Sequence, residues 1–403
     1  MKKIMKTLLT AGVLSVMVFA MGIMVSAAET PGKVTGVKQT DAYSNSVDIS
    51  WDAQLMDCYY ETEISQDKKT WNIVSEYCSS PTDYIYNLSR GKTYYVRVRA
   101  LTTGSNPVYG PYSDPVAVVT QPSDVANVHQ TGATSSSVTI GWNRAEGATS
   151  YRVYQYNNGV YTLKGETTGT SFTISGLKNT ASLPFTYLYV ESVRSAGTYR
   201  ATGYKRGVSN FHIKLIPAKV KNVNIKYYWQ SLKEINFGFN ASVFYDGYQY
   251  QLWNINGKKA LRTGETSSYY STTLKNIKGY RFYKLRVRAY IIINGKKIYG
   301  QWSDFKGFAF QPKVKIKSSG RNLKLSWKKV KGAKSYTVYM STSQKTGYKK
   351  VKTLKKTSYK VTKFKKKRLK RRKTYYIYVV ANSKIGKKNV KSKAINCYYL
   401  LRR

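Results

Sequence analysis

Few side chains in this sequence have the types and spacing that catalysis or metal binding requires. The 403 residues include two histidines and three cysteines. His129 and His212 lie far apart, and neither has a carboxylate or cysteine at the spacing of a catalytic triad or metal site. The carboxylates of residues 31–121 are scattered singly, with no Asp-x-Asp loop that would bind calcium. We therefore expect no enzymatic activity, no cofactor and no metal site.

The chemistry that the sequence supplies in quantity is positive charge. Its 68 lysines and arginines against 19 carboxylates give a formal net charge of +49. The imbalance grows along the chain: residues 31–121 contain 8 basic and 10 acidic residues, residues 122–216 contain 9 and 4, residues 217–311 contain 16 and 4, and residues 312–403 contain 32 and none. A segment without counter-charge repels itself, so the imbalance predicts a polyanionic partner.

The densest cationic segment is predicted to bind that partner. Nine of the eleven residues from 363 to 373 are basic, and the two exceptions, Phe364 and Leu369, are apolar residues that would pin a loop to the core. The predicted contact residues are Lys363, Lys365, Lys366, Lys367, Arg368, Lys370, Arg371, Arg372 and Lys373. A solvated loop that only keeps the protein soluble is the alternative, although mixed or acidic charge would serve solubility equally well.

Residues 1–28 have the organisation of a secretory signal peptide. Lys2, Lys3 and Lys6 precede an apolar run over residues 8–25, and small residues follow at 26–28. An uncleaved membrane anchor is the alternative. No second apolar stretch of about 20 residues follows, so the mature chain is predicted to lack a membrane span and to act outside the cytoplasm, secreted and associated with the cell surface.

Cys58 and Cys78 are predicted to form a disulfide, which export would permit. Each lies ten residues from Lys68, so a hairpin centred on Lys68 would place them directly opposite each other, at a Cα separation suited to a bridge. Two free thiols or a shifted strand register are the alternative. Cys397, near the end of the final strand, is expected to be unpaired at a core position, with an intermolecular disulfide as the alternative.

The elements that position these residues repeat along the sequence. Proline-led segments that end in valine begin at Pro31, Pro122, Pro217 and Pro312, at spacings of 91, 95 and 95 residues. An aromatic residue also precedes a tyrosine by nine positions in each unit; these pairs are Trp51 and Tyr60, Trp142 and Tyr151, Phe239 and Tyr248, and Trp327 and Tyr336. The repeats predict four small domains, at residues 31–121, 122–216, 217–311 and 312–403.

Strands with one buried face are predicted throughout these units. Residues 47–51 and 323–327 alternate apolar and polar side chains with period two, and residues 94–100, 283–289 and 375–381 share a second such pattern. The 38 tyrosines favour strands, and no helical period lasts beyond two turns after residue 28. We predict an all-β chain of repeated sandwiches.

These features resemble the fibronectin type III family over residues 31 to about 400. In that family a tryptophan on the second strand and a tyrosine on the third pack in the core, as the four aromatic pairs would. A leucine six residues before a corner tyrosine is matched by Leu88 and Tyr94, Ile277 and Tyr283, and Leu369 and Tyr375. The resemblance implies that this hydroxyl bonds back to the backbone. The second unit departs, because Thr186 stands at the tyrosine position.

The fourth unit is also similar to lysine-rich fibronectin type III modules in secreted proteins of anaerobic Gram-positive bacteria. The family implies spacing and adhesion and names no ligand. We expect a non-enzymatic binding or scaffold protein that attaches through residues 312–403 to an anionic cell-wall polymer or an acidic or sulfated glycan. Nucleic acid is a weaker alternative, because no recognition motif is present. The sequence gives no information about the oligomeric state.

A different alternative is an adhesin that binds carbohydrate through exposed aromatic side chains. The candidates are Tyr227-Tyr228-Trp229 and Tyr269-Tyr270 in the third unit. Alternation along a strand would expose at least one ring of each group, although exposed tyrosine is also ordinary cross-strand packing in β proteins.

Overall fold

The computed structural model describes residues 30–178, 187–208, 213–268 and 271–402. Within these ranges the chain forms strands and turns and contains no helix, so none of the described residues forms a helix able to cross a membrane. The predicted all-β class is confirmed, and successive antiparallel sheets follow one another along the chain as in tandem β-sandwiches. The predicted signal peptide, residues 1–28, lies outside the described residues.

The first repeat unit, residues 31–121, places its strands in two sheets. The strands are β1 (Lys38–Ala42), β2 (Val47–Ser50), β3 (Cys58–Ser65), β4 (Asn72–Cys78), β5 (Thr82–Ile85), β6 (Thr93–Thr102) and β7 (Val116–Val119). One sheet has the order β1-β2-β5 and the other β4-β3-β6-β7. Alternation along β6 buries Tyr94, Val96 and Val98 against the core.

The second repeat unit, residues 122–216, repeats this plan. Its strands are β8 (Ala126–Ala133), β9 (Val138–Asn143), β10 (Ser150–Asn157), β11 (Val160–Thr167), β12 (Ser171–Ile174), β13 (Tyr187–Ala196), β14 (Tyr199–Thr202) and β15 (Arg206–Gly207). The sheets have the orders β12-β9-β8 and β11-β10-β13-β14, and β15 also pairs with β13. Thr186 lies outside the described residues, as does His212.

The third repeat unit, residues 217–311, has the same arrangement. Its strands are β16 (Asn224–Trp229), β17 (Glu234–Gly238), β18 (Gly247–Asn254), β19 (Ala260–Thr266), β20 (Thr272–Leu274), β21 (Phe282–Ile293), β22 (Lys296–Tyr299) and β23 (Lys306–Ala309). The orders are β16-β17-β20 and β19-β18-β21-β22, with β23 on the other half of β21.

The fourth repeat unit, residues 312–403, adds a short hairpin to the plan. Its strands are β24 (Val314–Ser319), β25 (Asn322–Trp327), β26 (Ser335–Ser341), β27 (Lys349–Leu354), β28 (Ser358–Val361), β29 (Lys363–Phe364), β30 (Lys367–Arg368), β31 (Lys373–Ile385), β32 (Lys388–Lys391) and β33 (Tyr398–Arg402). The sheets are β24-β25-β28 and β27-β26-β31-β32, with β33 beside β31 and β29 beside β30.

The aromatic pairs found in the sequence lie in the core of each unit. Trp51, Trp142, Phe239 and Trp327 are buried with their tyrosines, at ring-centroid separations of 5.2, 5.4, 4.6 and 5.5 Å. Each of these tyrosine hydroxyls also accepts a hydrogen bond from the backbone N–H six residues earlier. The donors are Gln54 to Tyr60 (2.9 Å), Ala145 to Tyr151 (2.9 Å), Ser242 to Tyr248 (2.6 Å) and Val330 to Tyr336 (2.8 Å).

A second set of tyrosines bonds to the backbone just before the long central strand. Tyr94 accepts from the Ser89 N–H at 2.9 Å, Tyr375 accepts from the Lys370 N–H at 2.9 Å, and Tyr283 donates to the Lys278 carbonyl at 3.1 Å. All three rings are buried. These bonds fix the loop that precedes the strand, and in the fourth unit that loop is the cationic segment.

Neighbouring units share hydrogen bonds and core contacts. Arg194 in the second unit donates to the Thr93 hydroxyl of the first at 3.0 Å. Between the third and fourth units, Phe282 N–H donates to the Lys331 carbonyl at 2.9 Å. Ile255 and Phe282 belong to the same buried cluster as the core of the fourth unit, so this junction is apolar as well as hydrogen-bonded.

The predicted direct opposition of Cys58 and Cys78 is wrong. The β3–β4 hairpin begins in the expected register, with Ile64 opposite Asn72, but two irregularities follow and place Cys78 opposite Tyr60. Tyr77, with φ of 59°, accompanies this shift. Cys58 is therefore diagonal to Cys78, where cross-strand neighbours are roughly 7–8 Å apart. Both are free thiols packed against the core, and Cys397 is also free and half-buried.

We expect both thiols to be present in purified protein. Denaturation without a reductant, followed by an alkylating reagent, should label Cys58 and Cys78, and mass spectrometry of the peptides checks this. In the folded protein the reaction at Cys78 should be slow, because burial and then the charge of Asp83 raise the pKa of its thiol. Recovery of a cross-linked peptide containing both residues would contradict this expectation.

Candidate polyanion-binding surface

The predicted cationic segment is a hairpin followed by a loop. It lies between β28 and β31, as a connection from one sheet to the other. The expectation of a loop alone is wrong, because Lys363 pairs with Arg368 and Phe364 with Lys367. The side chains of all nine predicted contact residues are exposed. The structure therefore brings these cations together on one projecting segment.

The tip of this hairpin has an unusual backbone conformation for lysine. Lys365 and Lys366 have φ of 50° and 64°, the left-handed conformation that both central residues of a type I′ turn adopt. Asn-Gly is the preferred sequence for that turn. The left-handed conformation costs most residues that have a Cβ roughly 1–2 kcal/mol of conformational free energy. Two cations thus occupy positions at which local conformation alone would favour other residues.

Apolar side chains hold the hairpin against the domain. Leu369 is buried in the core of the fourth unit, and Phe364 packs against the same cluster, with its ring centroid 6.4 Å from that of Tyr375. The Tyr375 hydroxyl accepts the Lys370 N–H just beyond Leu369. The cations are therefore displayed from an anchored segment.

A second group of cations, which the sequence analysis missed, crosses the adjacent three-stranded sheet. Lys317 on β24 lies opposite Lys324 on β25, and Lys324 lies opposite Lys360 on β28. All three side chains are exposed, and like charges directly opposite one another destabilise a sheet. Strands are about 4.8 Å apart, so this lysine row spans about 10 Å. Lysine at every second position of residues 313–317 was the available sequence signal.

Carboxylates do little to neutralise this surface. Residues 312–403 contain none, and among the described residues the ion pair that reaches this unit joins Lys388 to Asp304 of the third unit at 3.7 Å. The pKa of the Asp304 carboxyl is lowered, first by its hydrogen bond to Lys219 and also by the charge of Lys388. The hairpin cations and the lysine row have no such partner among the described residues.

The aromatic alternative is partly represented in the third unit. Tyr227 and Trp229 alternate with Tyr228 along β16, and their rings stack at 5.7 Å with 59% and 40% of their surface exposed. Tyr228 points to the core, and burial raises its pKa to about 12. Tyr269 and Tyr270 lie outside the described residues. Of the aromatic residues predicted to bind carbohydrate, Tyr227 and Trp229 are therefore the described ones whose rings are stacked and exposed.

The described residues contain no group of three or more histidine, cysteine or acidic side chains placed to hold a metal ion. His129 lies on β8, where its Nδ1 is 2.6 Å from the Asn127 carbonyl.

Comparison with known proteins gives little beyond these observations. No family model matches the chain. Among solved structures, the FN1-FN3 domains of chicken CNTN1 align with 69% of this chain and 98% of their own, at 19% sequence identity and a TM-score of 0.27. At this identity and TM-score the alignment carries no argument about function.

Replacing Lys365 by Asn and Lys366 by Gly should stabilise the hairpin. The substituted residues prefer the left-handed conformation, so we expect slower amide exchange over residues 363–368, corresponding to about 1 kcal/mol. Hydrogen exchange followed by mass spectrometry measures this. Lys367→Gly is the control, because Lys367 lies in the paired strand β30, and it should speed exchange. Equal exchange in all three proteins would show that the turn is not strained.

Proposed function

We propose that the chain is a secreted, non-enzymatic binding or scaffold protein built from four tandem fibronectin type III domains, at residues 31–121, 122–216, 217–311 and 312–403. Its fourth domain attaches to an anionic polymer, and its N-terminal domains are presented to the surroundings. The observation that carries this proposal is the exposure of nine cations on one anchored hairpin and loop, in a domain with no aspartate or glutamate.

A polymer suits this surface better than a small anion. The cations form an extended set, and the lysine row holds three like charges at strand spacing. A chain whose negative groups recur along its length can contact several of them at once, releasing counterions as it binds. The partner we favour is an anionic cell-wall polymer or an acidic or sulfated glycan. Nucleic acid is the weaker alternative.

The first domain differs in that two of its three arginines are paired internally. Arg97 and Arg99 form ion pairs with Glu63 and Glu61 at 2.6 and 2.7 Å, and the domain contains 8 basic and 10 acidic residues. Such a surface does not compete for a polyanion. This contrast supports attachment at one end and presentation at the other.

The exposed stack of Tyr227 and Trp229 favours a second candidate function, binding of carbohydrate through aromatic rings. The dependence of binding on salt concentration distinguishes the two candidate functions. Contacts of lysine with an anionic polymer weaken as salt rises, whereas ring stacking does not. Loss of a salt-resistant glycan interaction in a Tyr227→Ala/Trp229→Ala protein would support this candidate.

Neutralising the hairpin should weaken polyanion binding and its dependence on salt. In the full chain, Lys365, Lys366, Lys367, Arg371 and Arg372 are replaced by Gln, and retention on immobilised teichoic acid, heparin and DNA is measured between low and high salt. The slope of log affinity against log salt should fall by roughly 0.7 to 0.9 per lost contact on nucleic acid.

A charge-matched protein provides the control for this experiment. Five exposed lysines of the third unit are replaced by Gln, namely Lys258, Lys259, Lys275, Lys278 and Lys296. This variant has the same net charge and should keep the wild-type slope. Equal losses in both variants would indicate that overall charge, and not the hairpin, drives binding. Substitution is preferable to deletion of residues 312–403, since deletion would expose Ile255 and Phe282.

A further inference from the structure

A ladder of arginines and aromatic rings lies on the outer face of the large sheet in the third unit. Arg286 and Arg288 on β21 each place Cζ 4.4 Å from the centre of the Trp302 ring system, and Arg288 is also 3.8 Å from the centre of Tyr299. Trp253 and Phe305 flank Arg286, both at 5.1 Å. All of these side chains are half-buried, so the guanidinium groups are fixed but remain accessible.

The first unit contains an equivalent ladder. Arg97 and Arg99 on β6 stack on Tyr112, with Cζ at 4.0 and 4.5 Å from the ring centroid. Trp71 and Tyr109 stand at its two ends, 4.2 Å from Arg97 and 4.1 Å from Arg99. Both units therefore place two alternate arginines of the long central strand against a shared ring, Tyr112 or Trp302, with a tyrosine beside the second arginine.

The ladders differ in the residues that oppose the arginines. In the first unit, Glu63 faces Arg97 and Glu61 faces Arg99 across the strands, and both pairs are ionic. Tyr112 also donates to Glu61 at 2.6 Å. Each guanidinium of the first ladder thus has a carboxylate within its own domain.

In the third unit the opposing residues are glutamines. Gln251 faces Arg286 and Gln249 faces Arg288, and each Oε1 accepts a hydrogen bond at 2.7 Å from an Nη2 group. A neutral amide satisfies donors without cancelling charge. Among the described residues neither arginine forms an ion pair. The nearby Glu265 is engaged by Lys297 at 2.5 Å and by Tyr299 at 3.3 Å.

The pKa directions agree with this difference in charge. Burial, followed by the charge of Arg288, lowers the pKa of Arg286. Burial also lowers the pKa of Arg288, despite partial compensation from Tyr299 and Glu265. For Arg99 burial acts in the same direction, but Glu61 reverses it and the pKa is raised. The third ladder thus holds partly desolvated cations with which no described carboxylate forms a direct ion pair.

We propose that Arg286 and Arg288 bind a carboxylate of an acidic saccharide, taking from another molecule the group that glutamate supplies in the first unit. Guanidinium and carboxylate match in geometry and form strong paired hydrogen bonds. The half-buried rings of Trp253, Trp302 and Phe305 lie beside the cations, with Lys284 Nζ 4.7 Å from the centre of Phe305. Rings and cations together suit a uronic acid ring better than a flexible acidic side chain. This site is separate from the hairpin of the fourth unit and uses none of its cations.

The test supplies the missing carboxylates. In the full-length Gln249→Glu/Gln251→Glu protein the third ladder acquires the pairing that the first unit already has, at the cost of the 3.5 Å hydrogen bond from Gln249 to Glu265, and a thermal melting curve checks that the domain folds. The probe is a short galacturonate oligosaccharide, titrated at constant ionic strength by calorimetry and by tryptophan fluorescence, which Trp253 and Trp302 make sensitive to this site. We expect at least a tenfold loss of affinity. Lys258→Gln/Lys259→Gln, which changes net charge equally, should bind as the wild type does.

Removing the carboxylates of the first unit is the reciprocal test. Glu61→Gln/Glu63→Gln should create one galacturonate site in addition to those of the wild type, raising the stoichiometry by one. Unchanged affinity in Gln249→Glu/Gln251→Glu would overturn the proposal, as would equal binding of a neutral oligosaccharide of the same length. Tighter binding of a glutamate peptide than of the galacturonate would replace the saccharide by an acidic protein partner, which also overturns it.

Independence from the proposed attachment function is checked in the same titration. In the Gln variant of Lys365, Lys366, Lys367, Arg371 and Arg372, galacturonate binding at the hairpin should weaken, whereas the tryptophan fluorescence change that reports on Arg286 and Arg288 should keep its wild-type affinity. Loss of that fluorescence change in this variant would move the interaction to the hairpin and overturn the assignment to Arg286 and Arg288. If the hairpin fails to bind polyanions, the expected binding of galacturonate at Arg286 and Arg288 is unchanged.

Discussion

A buried tyrosine hydroxyl on the third strand of each repeat unit accepts a hydrogen bond from the backbone six residues earlier. Its ring packs against the aromatic residue at the end of the second strand or directly after it. This contact joins the two sheets, because the second and third strands lie in different sheets. It also fixes the connection between them. The contact determines which face of each of these two strands is buried. Because side chains alternate along a strand, it thereby places apolar side chains in the core and polar ones on the surface. Phenylalanine would fill the volume but leave the N–H without its partner.

The same framework carries very different surface chemistry along the chain. In the first unit carboxylates neutralise two arginines of the larger sheet, and in the third unit amides stand opposite the arginines. The fourth unit contains neither acid, and lysines oppose one another on its three-stranded sheet. Core stability and surface charge are thus separable, because alternation assigns them to opposite faces of each strand. Burial of the aromatic pairs and long central strands must offset the repulsion among the exposed cations.

The sequence predicted those features that depend on local pattern. The aromatic pairs and the apolar residues Phe364 and Leu369 were recognisable because spacing and polarity identify buried positions without knowledge of strand pairing. The register of β3 and β4 could not be predicted. Two irregularities near Thr62 shift the residue opposite Cys78 by two positions, from Cys58 to Tyr60, and no residue type in the sequence marks them. Lysine at positive φ in the hairpin tip contradicts ordinary turn preferences. The pairing of Lys324 with Lys360 and the exchange of Glu for Gln beside the arginines depend on strand partners 34 to 39 residues apart, which the sequence alone does not pair.

The apolar junction between the third and fourth units has a mechanical consequence. A domain attached to a fixed polymer transmits any pull on the rest of the chain through its connection to the preceding domain. Here that connection includes the parallel bridge between Arg281 and Lys331 and the burial of Phe282 in the fourth core. Tension must therefore break hydrogen bonds and expose apolar surface together, so the junction resists extension and does not act as a free hinge.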